Sequence, residues 1–139
     1  MRQLIFLFTL LPLLSTAQDI TGQWKTFDDK TKEATSVIEI FHHNGNISGK
    51  VAEILDPEDR NSTCKKCPGD DKGKPILGMV IIKNLKKKGD VYKGGTILDP
   101  SSGRVYKVQL SLEEPDLLKI RGYLGVSMLG RTQYWQRIH

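Results

Sequence analysis

Short apolar or alternating runs, separated by turn-forming residues, fill the chain after residue 18. The alternation is clearest in 104–112, where Tyr106, Val108, Leu110 and Leu112 share one face of an extended chain. No long window in this part of the chain has the spacing of an amphipathic helix. The pattern therefore predicts strands at 20–26, 35–42, 47–55, 78–85, 91–98, 104–112, 117–123 and 131–138.

Turn-forming residues separate these strands at short intervals. Asn44 and Gly45 can take the positive φ angles of a tight hairpin, and Asp99-Pro100 begins a type I turn. Consecutive strands joined by short turns predict an all-β, antiparallel up-and-down meander of about eight strands, closed into a barrel that has no exposed edge. An open two-sheet sandwich is the alternative. A barrel of this size is either filled by side chains or holds one small ligand.

One internal repeat relates residues 41–57 to residues 85–100, and both copies end in Ile-Leu-Asp-Pro. Asp56 and Asp99 could form a carboxylate pair for acid–base chemistry. Because Asp followed by Pro commonly starts a turn, we interpret them instead as turn formers at strand ends.

The N-terminal segment has the organisation of a secretory signal peptide. A basic start at Arg2 precedes the apolar run 4–14, and small residues follow up to Ala17. As a helix this run would rise only about 16 Å, too short for a bilayer core of ~30 Å. We predict that residues 1–17 are a signal peptide cleaved near Ala17, that residues 18–139 form a single β-barrel domain, and that the protein is exported to the periplasm or secreted without a membrane span.

The charge balance indicates a basic protein. The chain has 139 residues, a formal charge of +5 and a pI near 9.2. Length alone allows a single domain. A basic hairpin tip predicts contact with an anionic envelope surface through Lys83, Lys86, Lys87 and Lys88. Nucleic acid is not an expected partner, because interleaved aromatic residues are missing from this segment. We expect a monomer.

The two cysteines stand three positions apart, at Cys64 and Cys67, in a long polar segment. In an oxidising compartment they predict a disulfide across a small loop. The intervening lysines leave a redox-active pair as an alternative. No zinc site is predicted, because zinc needs four ligands and the chain has no second cysteine pair.

No catalytic set and no cofactor are predicted. His42 and His43 are neighbours and would point to opposite faces of a strand. Residues 125–132 have the spacing of a phosphate loop, but a strand-like run follows where such a loop needs a helix. We interpret this segment as an apolar loop that closes one barrel end.

The last two strands carry the candidate ligand site. Arg121 and Tyr123 share one face of their strand, and Gln133, Trp135 and Arg137 share one face of theirs. If both sets point inward, they line a pocket suited to a small amphipathic or anionic molecule. If they point outward, they form a solvated face. The predicted ligand-binding residues are Trp24, Arg121, Tyr123, Arg131, Gln133, Trp135 and Arg137.

Two resemblances bear on this pattern. Gly22-Gln23-Trp24 looks like the Gly-x-Trp start of lipocalin-type barrels, in which an Arg of the last strand often packs over the Trp; the matching residue is Arg137. The segments 74–78, 94–100, 103–106, 121–125 and 129–135 together resemble the exported bacterial proteins grouped as domain-of-unknown-function family 2147. The resemblance implies a small β-barrel of the Gram-negative envelope or a secreted protein, and it carries no established reaction.

These observations favour a non-enzymatic, lipocalin-like binding protein of the bacterial envelope. One alternative is an envelope interaction module with a filled barrel. A thiol-based redox enzyme that uses Cys64 and Cys67 is the other.

Overall fold

The computed structural model describes residues 3, 5, 7–12, 19–125 and 130–139. Within these residues the chain forms an eight-stranded antiparallel barrel in which each strand pairs with its sequence neighbour. The barrel closes where Gln23, Trp24 and Lys25 of the first strand pair with the last strand. This confirms the predicted meander and rules out the open sandwich. The strands are β1 Gly22–Phe27, β2 Ala34–His43, β3 Asn46–Ile54, β4 Val80–Lys88, β5 Val91–Asp99, β6 Arg104–Glu114, β7 Leu117–Tyr123 and β8 Arg131–Ile138.

The core lies inside the barrel because every second residue of each strand points inward. Trp24 stands opposite Ile38, which in turn stands opposite Val51. Across the barrel, Leu110 pairs with Ile120, and Leu118 pairs with Trp135. These inward positions are all buried, together with Ile40, Ile82, Leu85 and Val108.

The β2–β3 hairpin has the predicted turn. Asn44 has a φ of 51° and Gly45 a φ of 78°. Positive φ at both central residues matches the right-handed twist of the flanking strands. The turn therefore fixes the pairing of His43 with Asn46.

The repeated Ile-Leu-Asp-Pro segments behave as turn formers. Asp56 accepts a hydrogen bond from the Glu58 backbone N–H at 3.0 Å, at the start of a 3₁₀ turn. Asp99 accepts from the Ser101 backbone N–H at 3.0 Å and from the Ser101 hydroxyl at 2.7 Å. Each carboxylate is thus engaged by its own turn, as predicted.

The segment between β3 and β4 lies against the outside of the barrel. It contains two short 3₁₀ helices, Pro57–Asp59 and Gly69–Asp71. Ile81 and Leu98 point outward by register, yet they are only 7% and 6% exposed. The segment covers these two residues and so buries apolar surface that the wall of an isolated barrel would expose to water.

No helix among the described residues is long and apolar enough to cross a membrane. Residues 13–18, which include the predicted cleavage site at Ala17, lie outside the described residues. So do residues 126–129, the central part of the segment predicted to close one barrel end.

Candidate functional site

The two ends of the barrel differ in what surrounds them. We call the end that holds residues 19–21 and the β2–β3 turn the base. The mouth is the opposite end, where the β1–β2 loop and the start of β8 meet. The meander places every odd-numbered connection at the mouth and every even-numbered one at the base.

At the base, Trp24 is fully buried and its indole N–H donates to the Ile20 carbonyl at 2.8 Å. The Arg137 guanidinium lies 4.3 Å from the centre of the Trp24 ring. A side chain at Gly22 (φ 125°) would put its Cβ 3.2 Å from Arg137 Nη1, so glycine leaves room for the guanidinium there. The packing of Arg137 over Trp24 is therefore as the resemblance implies.

Backbone carbonyls engage the donors of Arg137. Nη1 donates to the Thr21 carbonyl and Nη2 to the Asp19 carbonyl, both at 2.9 Å, while Nε donates to the Pro115 carbonyl at 3.2 Å. Asp116 lies 3.6 Å from Nε. Arg137 thus ties residues 19–21 and the β6–β7 turn to the barrel, which is a structural task.

Asp19 gives the base a local charge. Burial opposes ionisation of Asp19, but hydrogen bonds from His42 and from the Thr21 backbone outweigh it and lower the pKa of the carboxyl. Burial raises the pKa of Tyr92, and the Asp19 carboxylate raises it further. Within the described residues, no group of three His, Cys, Asp or Glu side chains is arranged to hold a metal ion.

At the mouth, three inward-facing residues of β8 lie in order from the solvent to the core. The Arg131 side chain is 70% exposed, Gln133 is half-buried, and Trp135 is 3% exposed. The Trp135 indole N–H donates to Gln133 Oε1 at 3.4 Å, and Gln133 Nε2 donates to Asp29 Oδ2 at 3.3 Å. Arg131 forms an ion pair with the same Asp29 oxygen. The result is a continuous polar path along an apolar inner wall.

Sequence reasoning missed Asp29, which lies more than a hundred residues from β8 along the chain. The preceding Asp28 accepts the backbone N–H groups of Thr31 and Lys30, each at 2.8 Å, and these bonds lower the pKa of Asp28. The resulting turn presents Asp29 towards β8. The local signal in the sequence was the Asp28-Asp29 pair after the first strand, but the sequence does not indicate which residues Asp29 contacts.

The inner wall beside Arg131 lacks a side chain at one position. Arg131 pairs with Gly122, which carries no side chain. Tyr106 lies on the inner face, opposite Ile97, and is half-buried. A Cβ on Gly122 would lie 3.8 Å from Tyr106 Cβ, an ordinary contact. Gly122 therefore leaves room for a Cβ atom on the inner wall, between the Tyr106 ring and Arg131.

Arg121 and Tyr123 lie on the outer surface of the barrel. Ile120 pairs with the inward Gln133, so strand alternation turns Arg121 and Tyr123 outward. Arg121 stands opposite Thr132 and donates to its hydroxyl at 2.9 Å. The interpretation in which these two residues line the interior with Gln133 is therefore wrong, and a molecule inside the barrel would not reach them.

Cys64 and Cys67 form a disulfide with a Cα–Cα distance of 5.4 Å. Their exposures are 0% and 3%. Backbone hydrogen bonds join Cys64 to Lys74 at 2.8 Å and to Gly73 at 2.7 Å. The disulfide therefore clips the segment between β3 and β4, and the burial of both sulfurs favours a structural clip over a redox site.

The four lysines of the predicted basic tip all lie on β4, but they do not share one face. Lys83 and Lys86 point outward, opposite Thr96 and Lys93. Lys87 is opposite the buried Tyr92, so it is on the inner side of its strand, at the rim of the base. All four lysines are nevertheless exposed, so contact of this tip with an anionic surface stays a prediction.

The comparison with protein families decides the relationship that the segments suggested. A family model described as an uncharacterised protein conserved in bacteria, DUF2147, matches residues 22–137. The chain belongs to the DUF2147 family. The match begins at Gly22 of the Gly-x-Trp segment and ends at Arg137, so it spans every strand of the barrel apart from the last residue of β8. No curated protein sequence matches this DUF2147 chain.

One solved structure is similar to this DUF2147 barrel over most of its length. It is protein HP1028 from the human pathogen Helicobacter pylori, described as belonging to the lipocalin family. The TM-score is 0.77 at 22% sequence identity, and the match covers 88% of this chain and 84% of HP1028. The DUF2147 chain therefore has a lipocalin-like fold.

Proposed function

We propose that this protein is an exported, non-enzymatic, lipocalin-like protein that binds a small amphipathic or anionic molecule at the mouth of its barrel. The observation that carries the proposal is the inner-face run of Arg131, Gln133 and Trp135. It grades from an exposed cation through an amide to a buried aromatic ring. Binding sites in barrels of this size combine an apolar wall with a few convergent polar groups.

The chemistry of the run indicates how such a ligand would lie. An apolar tail would lie along the inner wall at Gly122 towards the Trp135 ring, while an acidic head would meet Arg131 and the Gln133 amide. The Arg guanidinium favours carboxylates and phosphates because it presents parallel donors. Asp29 occupies that position in the present structure, so an acidic head would compete with the Asp29 carboxylate for the same cation.

Two features support export. The N-terminal segment has the charge and apolar pattern of a signal peptide, and its described apolar residues do not join the core: Leu7, Phe8, Leu10 and Leu11 are each more than 80% exposed. The disulfide is typical of an oxidising compartment.

A second candidate is the envelope interaction module with a filled barrel. The Asp29–Arg131 ion pair favours it, because this pair neutralises the mouth cation without any ligand. A thiol-based enzyme is disfavoured, because a partner thiol cannot reach sulfurs that are almost completely buried.

Calorimetric titration with dodecanoate and dodecylammonium tests the proposal, since the two probes share a tail and differ in head-group charge. We expect dodecanoate to bind more tightly. Arg131→Gln should weaken its binding by about 1.5–3 kcal/mol, the scale of a charge-assisted hydrogen bond. Asp29→Asn should strengthen it by releasing the cation.

Gly122→Leu places a large side chain on the inner wall beside Arg131 without changing charge, and it should abolish the binding of both probes. Lys25→Gln, an outward cation on β1, is the matched control and should change nothing. Binding of neither probe would support the filled-barrel module. Binding that Gly122→Leu leaves intact would place any site elsewhere.

A further inference from the structure

One wall of the barrel carries a one-sided set of cations, which the ligand proposal does not use. Strand alternation turns seven basic residues outward on β4–β7, and Glu113 and Glu114, at a register shift near the end of β6, are the carboxylates among the outward residues described on these strands. The opposite wall, β1–β3, carries Lys25, Glu39, Lys50 and Glu53 outward and is balanced. We call the first set the basic face: Lys83, Lys86, Lys88, Lys93, Lys107, Lys119 and Arg121.

The register brings like charges together on this face. Lys86 stands directly opposite Lys93. Thr96 separates Lys83 from Lys107 in a row that crosses three strands. Like charges placed directly opposite each other destabilise a sheet. An arrangement of this kind has a cost in the isolated barrel that an anionic partner would remove.

The β3–β4 segment brings Asp70 and Asp71 over the mouth end of this wall, beside Lys83, and few other carboxylates compensate the cations. Lys83 lies 3.7 Å from Asp71, and Lys119 lies 3.6 Å from Glu113. In the described part of the chain, Lys86, Lys93 and Lys107 form no ion pair. The balanced wall differs, because Lys50 there lies 3.6 Å from Glu39.

We propose that the basic face docks on the surface of an anionic lipid bilayer. Four strands about 4.8 Å apart spread the cations over roughly 15 Å, and the span from Lys83 to Lys88 is about 16 Å along the strand. The cations spread over this convex wall in two directions, which suits an extended headgroup surface better than a single polyanion chain. Each lysine held near such a surface contributes about fivefold in affinity.

Two tyrosines flank the basic face on the side of β8. Tyr123 stands opposite Lys107, and Tyr134 stands opposite Lys119 and is 47% exposed. Tyrosine favours the boundary between water and lipid because its ring is apolar and its hydroxyl is polar. The cations and tyrosines together therefore fit a membrane surface that the barrel touches without spanning.

Vesicle co-sedimentation tests this inference independently of ligand binding. Protein purified from the expressing cells, with its N-terminus determined by mass, is mixed with phosphatidylcholine vesicles or with equal parts phosphatidylcholine and phosphatidylglycerol. We expect binding to the anionic vesicles alone, weakening as salt is raised. The triple variant Lys86→Gln/Lys93→Gln/Lys107→Gln should lose at least about tenfold in affinity.

The control variant Lys25→Gln/Lys30→Gln/Lys50→Gln removes the same number of charges away from the basic face and should bind like the parent. Circular dichroism establishes that both variants fold. Equal losses in the two variants would overturn the proposal in favour of net charge alone. Tighter retention on heparin than on anionic vesicles at equal anion concentration would overturn it in favour of a linear polyanion.

Discussion

Trp24→Ala should remove the anchor of the barrel base. The ring is fully buried, so its deletion leaves a cavity between Ile20 and Arg137. Emptying a buried aromatic site costs about 3–5 kcal/mol, which already includes the loss of the contacts that the ring makes. A domain of this size has a total stability of about 5–15 kcal/mol. The variant should therefore fold with a large part of its stability lost.

Urea denaturation followed by circular dichroism measures this loss. Trp24→Phe keeps most of the packing but leaves the Ile20 carbonyl without its donor, and it should cost about 1–3 kcal/mol. It serves as the reporter if Trp24→Ala does not fold. Tyr134→Ala on the outer face should stay within about 0.5 kcal/mol. A Trp24→Ala protein as stable as Tyr134→Ala would refute the anchoring of the base by Trp24.

Three further predictions concern the clip, the outer wall and the base. Breaking the Cys64–Cys67 disulfide should cost no more than about 2 kcal/mol, because so short a loop restricts the unfolded chain little; a larger loss in urea denaturation would contradict this. Arg121→Met should change neither stability nor dodecanoate affinity by more than about 0.5 kcal/mol, because Arg121 faces outward. A loss of 1.5 kcal/mol or more in the calorimetric binding free energy, about the size of a charge-assisted hydrogen bond, would show that Arg121 contacts the ligand inside the barrel. Asp19→Asn should be less stable than the parent at pH values above the ordinary carboxyl pKa of about 4. The difference in stability should shrink as the pH falls below that value, because the lowered pKa of Asp19 stabilises the fold only while the carboxyl is ionised. A difference that grows towards low pH would contradict the lowered pKa of Asp19.

The strand order and the base could be predicted from the sequence because their signals are local. Alternation marks each strand, and Asn44-Gly45 marks its own turn. The Gly22 to Trp24 segment predicted the base through a resemblance that names Arg137 as the partner, and the ring contact is present. In each of these cases, a short stretch of chain contains the information that positions it.

The mouth could be predicted only in part, because alternation separates two faces of a strand without saying which one is inside. Gln133 and Trp135 are inside and Arg121 is outside because Leu118 pairs with Trp135, a fact of register. Asp29 reaches β8 through barrel closure, which joins the two ends of the chain. For the same reason, the sequence could not predict that Lys86 of β4 stands opposite Lys93 of β5, because this pairing is also set by register.

Native mass spectrometry of protein purified from the cell envelope tests the central claim, that the mouth holds a small ligand, most directly. The parent protein should carry a bound molecule of defined mass, released on denaturation, and the Gly122→Leu variant purified in parallel should lack it. A parent protein without any adduct, or the same adduct on both proteins, would contradict a ligand site between Tyr106 and Arg131.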